Sequence, residues 1–146
     1  MLTGTCIQST ELLNGTFFEK AIVFITEHGD NGAVGFIINR MFPRRFNELQ
    51  AFSQCPPLPL YEGGPVDTEH LFFIHRRSDV ITGGKPVTGN IYTEGDFTQA
   101  VKLIENKTIT EKDIKLFIGY CGWDYQELEA EIAEGSWAIL QEVTPF

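Results

Sequence analysis

Residues 21–40 read AIVFITEHGDNGAVGFIINR and decide the fold. The runs AIVFIT (21–26) and GAVGFIIN (32–39) are rich in β-branched and aromatic residues, and the polar, glycine-containing EHGDNG separates them. This pattern predicts a β-hairpin. Because both runs are nearly continuous in apolar residues, rather than alternating, both faces of the hairpin are expected to be covered. We therefore expect the hairpin at the centre of the core.

Outward from the hairpin, the chain alternates short apolar runs with turn residues. Further strands are predicted at LPLY (58–61), HLFFIH (70–75), GNIYTE (89–94), IKLFIGY (114–120) and SWAILQEV (136–143). Helices are predicted at RRFNELQAF (44–52), from an N-cap at Asp96 through Asn106, and from Asp124 to Gly135. Strands outnumber helices, and this favours an α+β fold over a doubly wound parallel sheet.

Length and composition indicate one folded domain over residues 1–146. Apolar residues make up 42% of the chain and charged residues 21%, which is typical of a globular protein. The N-terminus has no signal-peptide pattern, and no segment approaches the roughly 18 apolar residues that span a bilayer. A cytoplasmic protein without membrane contact is expected. Cys6, Cys55 and Cys121 form no C-x-x-C pair, so neither a disulfide framework nor a cysteine zinc site is predicted.

The net charge of −9 limits the classes of partner. Residues 78–146 hold 5 basic and 12 acidic residues, so the excess negative charge lies mainly in the second half. Nonspecific affinity for nucleic acid comes from Lys and Arg side chains that neutralise phosphates. The composition therefore argues against direct nucleic-acid binding.

Cys121 lies between two glycines in GYCGW, where a predicted strand gives way to a predicted helix. That context is typical of a nucleophile elbow, and a helix N-terminus would lower the pKa of the thiol. Trp123, however, stands where the elbow motif has its last glycine, and no signature assigns a catalytic role to His28, His70 or His75. Two hypotheses follow: a thiol nucleophile working with His28 or His75, or a small residue at a tight bend.

The first hairpin turn carries Glu27, His28 and Asp30, three side chains that can bind metals. No H-x-x-x-H or H-E-x-x-H spacing accompanies them. We expect an exposed polar turn, with His28 bonded to a nearby backbone group, and neither a metal nor a cofactor.

The segment EGGPV (62–66) offers paired glycines that permit close backbone approaches. One interpretation is a tight turn fixed by Pro65; the other is a binding edge shared with GYCGW. Trp123, beside a glycine, is the best candidate there for a partly exposed anchor. The predicted binding residues are Gly63, Gly64, Pro65, Tyr120, Gly122 and Trp123.

All five arginines lie in the first 77 residues, at Arg40, Arg44, Arg45, Arg76 and Arg77. If the fold brings them together, they would form one patch able to bind phosphate or carboxylate groups. Alternatively, they pair with the chain's own carboxylates.

Taken together, four segments resemble the YqgE/AlgH family of small bacterial proteins. They are FFEKAIVFITEHGDNGAVGFIINR (17–40), LPLYEGGPVDTEHLFFIHR (58–76), GNIYTEGDF (89–97) and LFIGYCGWDYQELEAEIAEGSWAI (116–139). The resemblance implies a single α+β domain around a bifurcated, barrel-like, mainly antiparallel sheet with a few packed helices. Members are described as transcriptional regulators, without a demonstrated DNA-binding motif, reaction or cofactor. Relatives often have Ala or Ser at the position of Cys121, which favours a structural role for it.

The leading prediction is a non-enzymatic regulator that acts through a protein partner or a small ligand. The alternatives are a thiol-dependent hydrolase using Cys121 and direct DNA binding through the arginine patch.

Overall fold

The computed structural model describes residues 1–146 as one ten-stranded sheet with two α-helices. The elements are β1 (Cys6–Ser9), β2 (Ile22–Gly29), β3 (Gly32–Ile37), β4 (Met41–Arg45), β5 (Pro59–Glu62), β6 (Val66–His75), β7 (Lys85–Thr88), β8 (Ile91–Thr93), α1 (Phe97–Glu105), β9 (Ile114–Trp123), α2 (Glu127–Ala133) and β10 (Trp137–Ile139). Neither α-helix has the length and apolar character needed to cross a membrane. The α+β class predicted from the sequence is confirmed.

The hairpin at residues 21–40 is present as β2 and β3, which are antiparallel and joined by a two-residue turn. Phe24 and Phe36 pack in one apolar cluster, whereas Val23 and Ile25 pack in another. All four side chains are buried. The prediction that both faces of the hairpin are covered is therefore confirmed, and it explains the lack of alternation in the sequence.

The sheet is open and forks at β9, and its main path runs β10-β1-β2-β3-β9-β6-β8-β7. One edge of β9 pairs with β3 through residues 121–123 and with β5 through residues 116–118. Gly63 lies at the fork, where its N–H donates to the Ile118 carbonyl and its own carbonyl accepts from the Ile37 N–H. The β5–β9 pair is parallel and the others are antiparallel. The expected bifurcated, mainly antiparallel sheet is thus observed.

The helix predicted from Asp96 is confirmed as α1. The Asp96 carboxylate accepts from the Gln99 N–H, which satisfies one of the free donors of the first turn. Ala100 and Ile104 are buried in a cluster that also contains Leu116 of β9. The helix thus covers one face of the forked part of the sheet.

The second helix starts later than predicted. The Glu127 carboxylate does accept from the Asp124 N–H at 2.9 Å, but α2 begins at Glu127 and its N-cap residue is Gln126, with φ of +63°. The ladder of β9 continues to Trp123, so the chain needs three residues to turn away from the sheet. Gly135, with φ of +91°, follows the helix as predicted.

The helix predicted at residues 44–52 is wrong. Arg44 and Arg45 end β4, which pairs with β5, and two short 3-10 turns follow at Phe46–Glu48 and Gln50–Phe52. Phe46 is buried in the core below this segment. Strand pairing and this anchor override a local helical propensity.

Candidate functional site

The two glycine motifs predicted to share a binding edge, EGGPV (62–66) and GYCGW (119–123), are in backbone contact. A Cβ on Gly64 would lie 2.1 Å from the Tyr120 carbonyl carbon and 2.5 Å from the Cys121 nitrogen. A Cβ on Gly119, whose φ is +72°, would lie 2.3 Å from the Gly64 carbonyl oxygen. The backbones therefore touch where no other residue fits, and Gly63 and Gly64 are both buried. The close contact of the two motifs therefore belongs to the packing of the sheet and does not form an exposed binding surface.

Cys121 is a buried core residue with no exposed surface. Its Sγ donates to the Gly63 carbonyl oxygen at 3.4 Å. Burial raises the pKa of this thiol to about 12, so the thiolate is negligible at neutral pH. The structure contradicts the hypothesis of a Cys121 nucleophile and favours the small residue at a tight bend.

The histidines offered as partners of Cys121 are engaged elsewhere. His28 Nδ1 accepts from the Leu2 N–H, and its Nε2 lies 3.2 Å from a carboxylate oxygen of Glu129 on α2. His75 is fully buried, and its Nδ1 accepts from the Arg77 N–H. Burial lowers the pKa of His75, which keeps the ring neutral at pH 7. No Cys–His pair is assembled.

A prediction about thiol reactivity follows. At pH 8, iodoacetamide is expected to leave Cys121 unmodified in the folded protein and to alkylate it once urea unfolds the chain. The reason is that both access and ionisation of the thiol are suppressed by burial. Peptide mapping by mass spectrometry separates Cys121 from Cys6 and Cys55, which are also buried. Alkylation of folded Cys121 as fast as that of a free thiol would contradict the assignment.

Trp123 is not the exposed anchor that was predicted. It is only 7% exposed, and its Nε1 donates to Glu131 Oε1 at 3.0 Å. Its ring also meets Trp137 edge to face, with centroids 5.9 Å apart. Of the predicted binding residues, only Pro65, Gly122 and the partly buried Tyr120 reach the surface.

The five arginines do not form one patch. Arg40, Arg44 and Arg45 lie on or next to β4, and the strands β5 and β9 separate β4 from β6, which Arg76 and Arg77 follow. Four of them bind groups of the chain itself. Arg40 donates to the carbonyls of Phe17 and Glu19 and pairs with Glu62. Arg45 donates to the Pro57 carbonyl, and Arg76 donates to the Lys112 carbonyl. Arg77 pairs with Asp79 and Asp113. The alternative of internal pairing fits this geometry better than a phosphate-binding patch.

The metal-binding side chains of the first hairpin turn do not form a ligand cluster. His28 contacts Leu2 and Glu129 of α2, whereas Glu27 and Asp30 are exposed. No group of three or more His, Cys, Asp or Glu residues is placed to hold a metal ion.

The sequence did not indicate a surface groove that lies across β2, β3, β9, β6 and β8. Its volume is about 290 Å³. Three aromatic residues form its floor and three acidic residues its rim; we call it the acidic groove. The floor is Phe36, Phe72 and Tyr120, and the rim is Glu27, Asp67 and Glu94.

The aromatic floor is built by neighbouring strands. Phe36 lies on β3, Phe72 on β6 and Tyr120 on β9, and all three pack in or against the same apolar cluster. The ring centroids of Phe36 and Phe72 are 6.0 Å apart, and those of Phe72 and Tyr120 are 5.3 Å apart in an edge-to-face arrangement. Phe36 is buried, whereas Phe72 and Tyr120 are partly exposed. The groove therefore presents aromatic surface fixed by the sheet.

The acidic rim comes from irregular positions of three strands. Glu27 follows a break in the β2–β3 register, Asp67 lies in the irregular stretch between Val66 and Leu71, and Glu94 comes directly after β8. Asp67 and Glu94 have left-handed backbones, with φ of +53° and +63°. All three carboxylates are exposed. Each departure from regular pairing carries a carboxylate towards the groove.

One cation of the chain already lies at this rim. Lys85 Nζ is 3.1 Å from Glu94 Oε2, and the pKa of Lys85 is raised by Glu94 first and by Glu27 as well. Asp67 is hydrogen-bonded to His70, and this contact raises the pKa of His70. The rim is thus an environment that stabilises positive charge.

Comparison with known proteins identifies similar sequences over nearly the whole chain. A family model described as AlgH-like matches residues 6–145. A UPF0301 protein of Bacteroides thetaiotaomicron is 32% identical over 144 residues, which is 98% of this chain and 73% of the relative. A UPF0301 protein of Chlorobaculum tepidum is 35% identical over 133 residues, covering 90% of this chain and 70% of the relative.

Solved structures show the same fold. The solution structure of the AlgH protein from Pseudomonas aeruginosa matches with a TM-score of 0.79 and 23% identity, over 97% of this chain and 78% of that one. A crystal structure of a protein from Corynebacterium diphtheriae also matches with a TM-score of 0.79, at 14% identity, over 98% and 77% of the two chains. At these identities the likeness concerns the fold.

Proposed function

This chain belongs to the AlgH-like family, and we propose that it is a non-enzymatic regulator that acts by binding a protein partner or a small ligand. The observation that carries the proposal is the acidic groove. Binding sites in proteins are concave and largely apolar, with a few polar groups that fix the orientation of the ligand. The groove has this composition, with aromatic rings at its floor and carboxylates at its rim.

The position of the reactive side chains favours binding over catalysis. The thiol of Cys121 and the imidazoles of His28 and His75 do not line the acidic groove. A nucleophile needs a base within hydrogen-bonding distance, whereas these groups bond to the backbone, and His28 Nε2 lies 3.2 Å from Glu129. The acidic groove therefore has the composition of a binding site, and it contains neither this thiol nor these imidazoles.

The charge of the chain favours a protein or a small molecule over nucleic acid. The net charge is −9, and most arginine side chains are occupied by internal partners. An acidic rim repels phosphates, whereas a protein partner can present cationic or apolar groups to it. We propose that any effect on transcription is indirect and passes through such a partner.

The proposal is tested by isolating complexes from cells that make the protein naturally. Tagged protein is captured with and without nuclease, and size-exclusion chromatography with light scattering gives the stoichiometry. Cross-linking with mass spectrometry then locates the contact surface. A discrete complex that survives nuclease is expected.

Two results would overturn the proposal. The first is a complex that disappears with nuclease, because it would point to nucleic acid as the partner. The second is a defined chemical change in a metabolite mixture that depends on the folded protein, because it would show catalysis.

A further inference from the structure

The acidic groove combines exposed carboxylates with partly exposed aromatic rings. Ammonium and guanidinium groups are attracted both by carboxylates and by the faces of aromatic rings. We infer that the groove binds a lysine or arginine side chain from an extended basic segment of a protein partner. This inference rests on the proposed binding function and specifies the chemistry of its ligand.

The aromatic part of the site distinguishes it from an acidic surface. Phe72 and Tyr120 are held edge to face by the sheet, and both are partly exposed residues that line the groove. A cation over an aromatic face gains electrostatic energy from the ring quadrupole, and the aliphatic stem of Lys or Arg packs on the same surface. The floor thus fits a long cationic side chain better than a hydrated inorganic ion.

The rim supplies more negative charge than the chain neutralises. Glu27, Asp67 and Glu94 come from different parts of the chain, and all three line the groove. Lys85 pairs with Glu94 and His70 pairs with Asp67, whereas Glu27 has no ion-pair partner. A ligand cation would therefore find one free carboxylate in place, beside two that form exposed, displaceable pairs.

Lys85 also shows which chemistry the rim accepts. Its Nζ contacts the Glu94 carboxylate at 3.1 Å, while both side chains remain largely exposed. Exposed ion pairs of this kind contribute little to stability, so a ligand can displace this contact at small cost. Lys85 therefore acts as a built-in competitor for part of the site.

The shape of the surface favours a peptide over a free polyamine. A second groove of about 360 Å³ shares Phe36, Phe72 and Glu94 with the first and continues to Phe97 of α1. β8 pairs with β6 only at residues 74–75. The earlier residues of β6 therefore have no neighbouring strand on that edge. An extended segment can lie along this edge and place alternate side chains in the groove.

The test uses a labelled hexapeptide of alternating lysine and leucine, with blocked ends, and follows binding by fluorescence anisotropy. Saturable 1:1 binding is expected, and the same peptide with glutamate in place of lysine should not bind. Glu94→Gln and Tyr120→Leu should each weaken binding by roughly threefold to tenfold. Glu11→Gln is the matched control, because Glu11 is an exposed carboxylate that precedes β2, lies off β6 and lines neither groove.

A second variant pair separates the site from overall charge. Lys85→Met removes the internal competitor and should tighten peptide binding by about threefold. Lys102→Met changes the net charge equally, on the exposed face of α1, and should leave the affinity unchanged. The Tyr120→Leu effect should persist at high salt, because packing and cation–π contacts are screened less than exposed ion pairs.

Several outcomes would overturn the inference. Equal effects of Glu11→Gln and Glu94→Gln, or of Lys102→Met and Lys85→Met, would mean binding by general negative charge. Spermine binding as tightly as the peptide would assign the site to small cations. A stoichiometric partner whose cross-links lie outside the groove would overturn this inference while leaving the proposed binding function intact.

Discussion

A Gly64→Ala variant is expected to lose more than about 3 kcal/mol of the free energy of unfolding. Its Cβ would lie 2.1 Å from the Tyr120 carbonyl carbon and 2.2 Å from the carbonyl oxygen, far inside van der Waals contact. These are backbone atoms of β9, so they cannot move without disturbing the strand that β3, β5 and β6 all pair with. Urea unfolding followed by circular dichroism measures the loss.

The matched control is Gly122→Ala, in the same motif of β9. A Cβ there meets only the ring of Tyr120, at 3.4 Å, and Gly122 is exposed. Gly122→Ala is expected to change the free energy of unfolding by less than about 1 kcal/mol, as is usual for a surface substitution. Similar free energies of unfolding for both variants would contradict the close backbone approach between Gly64 and β9.

The central hairpin could be predicted from the sequence because its signal is local. β-branched and aromatic runs flank a turn, and the missing alternation correctly indicated burial on both faces. The strands β1, β4 and β7 were not predicted, because their sequences CIQS, MFPRR and KPVT contain no continuous run of β-branched and aromatic residues. Such strands depend on a neighbouring ladder more than on their own residue pattern. Residues 44–52 were mistaken for a helix for the same reason.

The candidate site could not be predicted, because no part of it is local in the chain. Its carboxylates lie at Glu27, Asp67 and Glu94, and each reaches the groove through an irregularity that no single sequence reveals. Tyr120 is the one residue of the predicted binding edge that lines the groove. The glycines beside Cys121 gave an ambiguous signal, since a tight backbone approach and a nucleophile elbow both require small neighbours.

Trp123 illustrates a different difficulty. A tryptophan beside an exposed glycine is compatible with an anchor at the surface or with a core residue, and only the partner of its indole N–H decides between them. That partner is Glu131, an acidic residue of α2. Glu129 and Glu134 of the same segment are exposed, whereas Glu131 is partly buried against the indoles.

A Glu131→Ala variant is expected to lower the free energy of unfolding by about 2–4 kcal/mol, since an unsatisfied buried donor costs about 1–3 kcal/mol. Glu131 Oε1 accepts from Trp123 Nε1 at 3.0 Å and from Trp137 Nε1 at 2.9 Å. Both indoles are buried, at 7% and 2% exposure. Removing the carboxylate leaves two buried donors without an acceptor and loosens α2 from β9 and β10.

Glu131→Gln is the matched control, because its side-chain oxygen can still accept a hydrogen bond, although more weakly than a carboxylate. It should lose about half as much stability as Glu131→Ala or less. Trp137→Phe removes one of the two donors, so its cost should be smaller in the Glu131→Ala background than in the wild-type protein. Additive costs in this double-mutant cycle would mean that the carboxylate does not bind the Trp137 indole. An equal loss for Gln and Ala would mean that charge, rather than hydrogen bonding, holds α2 on the sheet.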